Sequence, residues 1–418
     1  MPLVQPFRAL RPAPGRAAEV LAPPYDVLSS DEARTRAAGK PWSFLHISKP
    51  EIDLDPGIDP YAPAVYAKAR ENLDRMIEEG VLIRDDLPGY YVYRLTWRDR
   101  VQTGLAVTAS VADYDTNRIR KHELTTPAKE DDRVRQIEAV GAQTGPVMLA
   151  YRDCASLDAL LAQITQTERA VDVTADDGVR HEMWVVAGPA TVAQLTRTID
   201  ALPNLYIADG HHRSAAASRV AAARGGPAAP GSAGSSSGAG SHGRFLAVMF
   251  PDHQMTILDY NRLMKDLNGR SPAELLAALG ERFDVTLSDG PVRPAARHEF
   301  GLFVDGTWYA LALHPERVPA DDPVGRLPIT LLTKNAIEPL FGITDQRRDK
   351  RIDFVGGGRG VEELARRVQA GDAAAAFSLY PTQMVDLMAV ADAGEIMPPK
   401  STWFEPKLAD GMVSHVLD

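Results

Sequence analysis

Apolar positions along the chain recur with two periods, one helical and one alternating. In DPYAPAVYAKARENLDRMIEEGVL, Val65, Leu73, Met76 and Ile77 fall at helical spacing and Gly80 supplies the stop. Upstream, APPYDVLSSDEARTRAA predicts a proline-stiffened turn, then a helix capped at Ser29 or Ser30 with acids in its first turn. GYYVYRLTWRDRVQTGLAVTASV holds two β-rich runs around a charged turn, which predicts a hairpin. EMWVVAG and NLYIADG read as short strands. A helix follows each: PATVAQLTRTIDAL after the first, and the alanine-rich tract Ser214 to Arg224 after the second.

Further on, GRFLAVMF and TILDYNRL predict a buried strand and a strand edge, and SPAELLAALGERF a helix. HEFGLFVDGTWYALAL predicts a hairpin turning at Asp305-Gly306. IDFVGGGRGVEELARRV and AAFSLYPTQMVDLMAVADAG each read strand, turn, helix. Hairpins mixed with strand–helix units predict a fold between α/β and α+β, with a mixed sheet covered by helices. Two regions are expected, 1–265 and a C-terminal α/β region, 266–418, that completes the fold. The Gly/Ser/Pro/Ala-rich stretch at 225–243 cannot bury enough apolar surface to offset its ordering entropy. Lying between a helix and a strongly apolar strand, it reads as a disordered insertion within the first region.

Composition removes several function classes. A net charge of −10 sets aside general nucleic-acid binding, which needs a basic surface. The single cysteine, Cys154, leaves no internal disulfide and no cysteine-rich zinc site. The opening MPLVQPFRALRPAPGRAAEV lacks the apolar core of a signal peptide, and runs such as FLAVMF are too short to cross a bilayer. A cytoplasmic protein with no membrane partner is expected; a homo-oligomer stays open.

Chemistry concentrates at LYIADGHHRSAAA, where a strand turns into a helix. A helix start offers unpaired N–H groups and partial positive charge, suited to an anion. Gly210 lets backbone approach a ligand, Arg213 can grip phosphate bidentately, and His211 and His212 can donate or transfer protons. Asp209 ends the strand, where a carboxylate can face a metal-bound phosphate. Adjacent helical residues diverge by about 100°, so the two histidines cannot both face one site. The pair also lacks the i, i+4 spacing of a helical zinc motif, and no zinc site is expected.

ADGHHRSAAA resembles the loop shared by the partition protein ParB, sulfiredoxin and the free serine kinases. The last resemblance is strongest; sulfiredoxin's cysteine before the His-Arg pair is replaced here by His211. APPYDVLS, LHISKPE, KHELT, ADGHHRSAA and MPPKSTWFEPKLADGMVSHVL together resemble a large prokaryotic family known as domain of unknown function ten-fifteen, from near residue 5 to the C-terminus. The loop resemblance implies a ParB/sulfiredoxin-like core that binds nucleotide phosphates through Asp209, Gly210, His212 and Arg213.

No Walker loop or protein-kinase signature is present. Phosphoryl transfer still needs charge neutralisation and a proton acceptor. RKHELTTPAKEDDR offers Lys121 to a phosphate and Glu123 as Mg²⁺ ligand or base. Asp26, after Pro23-Pro24-Tyr25, is the rival base, since the serine kinases carry a catalytic acid early in the chain. VGGGRG reads as a glycine-rich turn, and Lys400, Ser401 and Thr402 are tentative substrate contacts. The combined expectation is a Mg²⁺-dependent phosphotransferase with ATP or ADP as donor. It would act on a small hydroxylated metabolite, with free L-serine the best guess, and Asp26, Glu123 and His211 as catalytic candidates. The same site could run as a phosphoserine phosphatase. The alternative is a ParB-like nucleotide-binding switch without turnover.

Overall fold

The computed structural model describes residues 2–225 and 240–418. It is a mixed α/β protein whose chain forms two compact units, Met1–Met255 with Pro406–Asp418, and Thr256–Glu405. The predicted insertion at 225–243 lies mostly outside the described residues. Its C-terminal end is built: Ser241–Gly243 form a 3₁₀ turn, and Ser241 Oγ donates to the Asp418 carbonyl at 3.0 Å.

A nine-stranded mixed sheet organises the first unit. In spatial order it runs Ile119–Arg120, Leu205–Asp209, Val147–Tyr151, Arg244–Pro251, Arg100–Ser110, Tyr90–Trp97, Arg180–Val186 and Val171–Thr174, with Val4–Gln5 added beside Arg100–Ser110. The predicted hairpin closes at Trp97↔Arg100, with Arg98 taking the positive φ (56°) that a two-residue turn demands. One sheet face buries Val92, Leu105, Val107, Leu149, Ile207 and Met249. The helices Ala155–Ile164 and Pro189–Asp200 cover that core through Leu157, Leu161, Leu195 and Ile199.

A second core, with Phe44, Ile47, Leu73, Met76 and Val140, gathers the helices Ser30–Ala37, Pro63–Glu78 and Pro127–Val140. Ser29 caps the first of these in a reciprocal box with Glu32. Gly80 takes the left-handed conformation just past the second.

The Leu205–Asp209 strand runs parallel to Ile119–Arg120, with Tyr206 opposite Arg120. Both chains therefore leave the sheet at the same end, which brings Lys121-His122-Glu123 beside Gly210-His211. On its other side the strand pairs with Val147–Tyr151, and the register shifts between Ile207 and Asp209. Such bulges re-aim side chains next to functional sites. The following helix spans His211–Ala223, so His211, His212 and Arg213 form its first turn instead of preceding it.

The second unit holds a six-stranded antiparallel sheet. Asp305 (φ 49°) and Gly306 (φ 74°) make its predicted turn, closed by Val304↔Thr307. At VGGGRG the Gly357 N–H donates to the Asp259 carbonyl at 2.7 Å, and a side chain at Gly356 would strike the Trp403 ring. The glycines serve close packing there. Among the described residues no helix is long and apolar enough to cross a membrane.

Candidate functional site

Gly210 adopts φ 99°, and no side chain caps the helix it opens. A β-carbon at Gly210 would stand 3.0 Å from Arg213 Nε, because the guanidinium folds back over the glycine. Glycine is required twice here, by the dihedral and by the stacked arginine.

Arg213 is part-buried and well occupied. It reaches the Pro146 carbonyl, stands 3.6 Å from Asp209 and stands 3.9 Å from Asp26. Asp209 also accepts from Lys407 Nζ at 3.0 Å. Burial alone would raise the Asp209 pKa, but Lys407 and Arg213 outweigh it and hold the carboxyl well below its usual range. Burial likewise opposes the Arg213 charge, and Asp209 followed by Asp26 overcomes it.

Lys407 belongs to the C-terminal segment that returns to the first unit. In the same segment Asp410 pairs its backbone with Ala22 through two hydrogen bonds, 2.9 and 3.1 Å, and so straps down the proline-rich stretch that carries Asp26. The Asp410 carboxyl is buried against a small cavity of about 30 Å³ that it shares with Tyr25, Ser48, Arg133, Thr144 and Arg213. Burial pushes its pKa up from 3.8 to about 7, against the pull of Arg213.

The two histidines diverge, as helical geometry requires. His212 turns toward Thr126, whose N–H donates to His212 Nε2 at 3.1 Å. Burial lowers its pKa, and Lys129 nearby adds to the fall. His212 and Asp26 line a cleft of about 270 Å³ together with Lys49, Glu51, Tyr61, Tyr66, Lys129, Asp132 and Arg133. Within it Lys49 pairs with Glu51 at 3.0 Å, Tyr66 donates to Asp132 at 2.8 Å, and Arg133 lies 3.9 Å over the Tyr25 ring.

His211 points the other way and is buried. Its ring meets His122 edge to face, with centroids 4.4 Å apart, and its Nδ1 stands 3.6 Å from a Glu123 oxygen. Burial takes the His211 pKa well below its usual value and the His122 pKa down to about 4. Helix spacing misses this second imidazole because it arrives from 89 residues away. Lys121, half-buried, rests its ammonium 3.9 Å over the Tyr114 ring, and burial lowers its pKa.

The hinge thus gathers Asp26, Lys121, Glu123, Asp209, Gly210, His211, His212 and Arg213. Lys400, Ser401 and Thr402 belong to the second unit. There Lys400 takes φ 57°, Ser401 Oγ donates to the Pro398 carbonyl at 2.6 Å, and the carbonyls of Pro399 and Lys400 receive the fully buried Arg262. Sequence reasoning named His122 only as part of the charged stretch RKHELTTPAKEDDR, without a role of its own, and passed over Lys407 and Asp410. The last two lie in FEPKLADG, immediately beyond the residues it singled out.

The family described as "Protein of unknown function (DUF1015)" matches residues 4–330. No curated protein matches. Solved structures with a similar chain path include a free serine kinase in complex with AMP, at 13% identity and TM-score 0.38, covering 75% of this chain and 91% of that one. A mutant free serine kinase with ADP aligns at 15% and 0.37, covering 80% and 95%. SbnI from Staphylococcus aureus, with a C-terminal truncation, aligns at 10% and 0.38, covering 74% and 86%.

Proposed function

The chain belongs to the DUF1015 family, and from the cleft beside its glycine-hinged helix we propose that it transfers a phosphoryl group between a nucleotide and a small hydroxylated metabolite. The observation that carries this reading is the joining of two features at His212. One is a helix start free of any capping side chain; the other is a cleft of about 270 Å³ walled by charges of both signs. The first suits phosphate oxygens. The second is sized for a metabolite smaller than a drug-like ligand. Its lysines, arginine and carboxylates suit a zwitterion, which makes free L-serine the first acceptor to try.

In this reading ATP or ADP sets its phosphates against the backbone of Gly210 to Arg213. Arg213, already held by Asp209 and Asp26, contributes charge and keeps the loop in shape, while His212 and Lys129 face the anion from the cleft side. Asp26 is half-exposed and next to Arg213, placed to take the proton of the attacking hydroxyl. Mg²⁺ demands oxygen ligands and keeps several waters. Asp209 is engaged by two cations, so Asp26 or Glu123 would hold the ion together with phosphate oxygens, and the ion would neutralise phosphate charge. Reversed, the site would hydrolyse a phosphomonoester.

Phosphorus NMR of the purified protein with Mg²⁺, ATP or ADP, and L-serine or pooled metabolites tests this. A new phosphomonoester signal that Asp26→Asn suppresses is expected. Nucleotide bound but never turned over would replace this reading with a nucleotide-controlled switch.

A further inference from the structure

On the inner side of the hinge, His122, Glu123 and His211 form a group from which the phosphotransferase reading draws only on Glu123, as one of two alternative carboxylates for Mg²⁺. Each offers one donor atom, and the three donors lie within 4.8 Å of one another. His211 Nδ1 to Glu123 is already 3.6 Å. Ligands about 2.0–2.1 Å from a tetrahedral ion stand roughly 3.4 Å apart, so this edge is almost at its final length.

The histidines are 1% and 4% exposed, yet neither ring nitrogen of His122 closes a well-formed hydrogen bond among the described residues, although the Ile207 backbone approaches the ring. Buried polar groups are normally well satisfied, and an imidazole this loosely held is the exception that calls for a partner. The amide of His122 approaches His211 Nε2 at 3.5 Å, which is beyond the roughly 2.7–3.2 Å of a well-formed bond and does not fix the tautomer. The Ile207 backbone lies beside His122, where a carbonyl can orient a ligating ring.

We propose that His122, His211 and Glu123 form a three-ligand site for a divalent transition ion of the zinc class, separate from any Mg²⁺ carried by nucleotide. Two nitrogens and one carboxylate suit Zn²⁺ or Co²⁺, whereas Mg²⁺ and Ca²⁺ select all-oxygen sets. Parallel strand exits hold the site together: one delivers His122 and Glu123, the other His211. The Glu123 side chain is 41% exposed, so the ion keeps one coordination position toward solvent. That pattern, three protein ligands and an open fourth place, is the one found at reactive rather than purely structural zinc centres.

The test uses the full chain stripped of metal by chelator, without nucleotide. Co²⁺ is titrated while the visible absorption of a four-coordinate ion is followed, and Zn²⁺ is titrated by calorimetry. One ion per chain is expected, undisturbed by excess Mg²⁺. Glu123→Gln and His211→Gln should each weaken Zn²⁺ on the order of a hundredfold, about a ligand's share of a zinc-site affinity. Glu123→Gln alters a part-exposed side chain, and thermal melting checks that its fold is intact. Absence of stoichiometric binding overturns the proposal. So does undiminished binding in Glu123→Gln, which would move the ion elsewhere, for instance to Asp153, Asp158 and His253. Phosphoryl transfer in Mg²⁺ is read separately, so either proposal can fail while the other stands.

Discussion

The two flanks of one helix start have opposite electrostatic states. On the Arg213 flank the charges of Asp209 and Arg213 are partnered: Asp209 lies between Lys407 and Arg213, and Arg213 reaches Asp26 and a carbonyl. On the His211 flank two buried imidazoles touch edge to face, and the His122 ring closes no well-formed hydrogen bond among the described residues. A saturated cluster resists change and holds shape; an unsaturated one still has affinity to offer. The arginine that looks like a phosphate clamp in the sequence is first a member of the framework, and the loosely held imidazole is His122, on the opposite flank.

The largest effect expected is on catalysis. Asp26→Asn should lower the phosphoryl-transfer rate by roughly 10²–10⁴ while leaving nucleotide affinity nearly unchanged, as for a positioned proton acceptor. Single-turnover rates set beside calorimetric Kd values check this, and equal losses in both would make Asp26 a binding group. Next, if the Arg213 flank is framework, Arg213→Ala leaves the part-buried Asp209 with Lys407 alone, frees Asp26 and strips the Pro146 carbonyl of its donor. It should cost about 2–4 kcal/mol in urea unfolding. Unchanged stability with weakened nucleotide binding would return Arg213 to the role of a free clamp.

Asp410 gives the comparison a pH axis. Its carboxyl faces Arg213, Asp26, Arg133 and Ser48, and its pKa rises from 3.8 to about 7 on folding. The folded chain keeps the proton across that window while the unfolded chain releases it, so this group makes stability fall as pH rises from about 4 to 7. Asp410→Asn should remove that slope and gain on the order of 2–4 kcal/mol over the wild type at pH 8. Parallel stability–pH curves for the two proteins would refute it. The smallest effect should come from His212→Ala, which loses one partly buried contact. Nucleotide affinity should fall about tenfold with the fold unaffected.

Local pattern made much of this legible. The helix Pro63–Glu78, the hairpin at Trp97↔Arg100 and the turn at Asp305-Gly306 follow from spacing and turn chemistry that short windows contain. The hinge was legible for the same reason: Asp-Gly, two histidines and an arginine interrupt an apolar run. His122, Lys407 and Asp410 were not, since their importance depends on which distant strand or strap they meet. His122 in particular sits in a charged stretch, and only the parallel pairing of Ile119–Arg120 with Leu205–Asp209 turns it inward.

Lys407 and Asp410 are encoded beyond Thr256–Glu405, although both complete the first unit. A ribosome delivering this chain therefore exposes Asp209 and Arg213 long before it delivers the lysine that pairs with one and the strap that steadies the other. Until then the hinge has its histidines, its bulged strand and Arg213, but Asp209 lacks the second of its two cations. Its competence is acquired last, after the whole second unit has been translated, and a nascent chain stalled before Pro406 would display the loop in an unfinished electrostatic state.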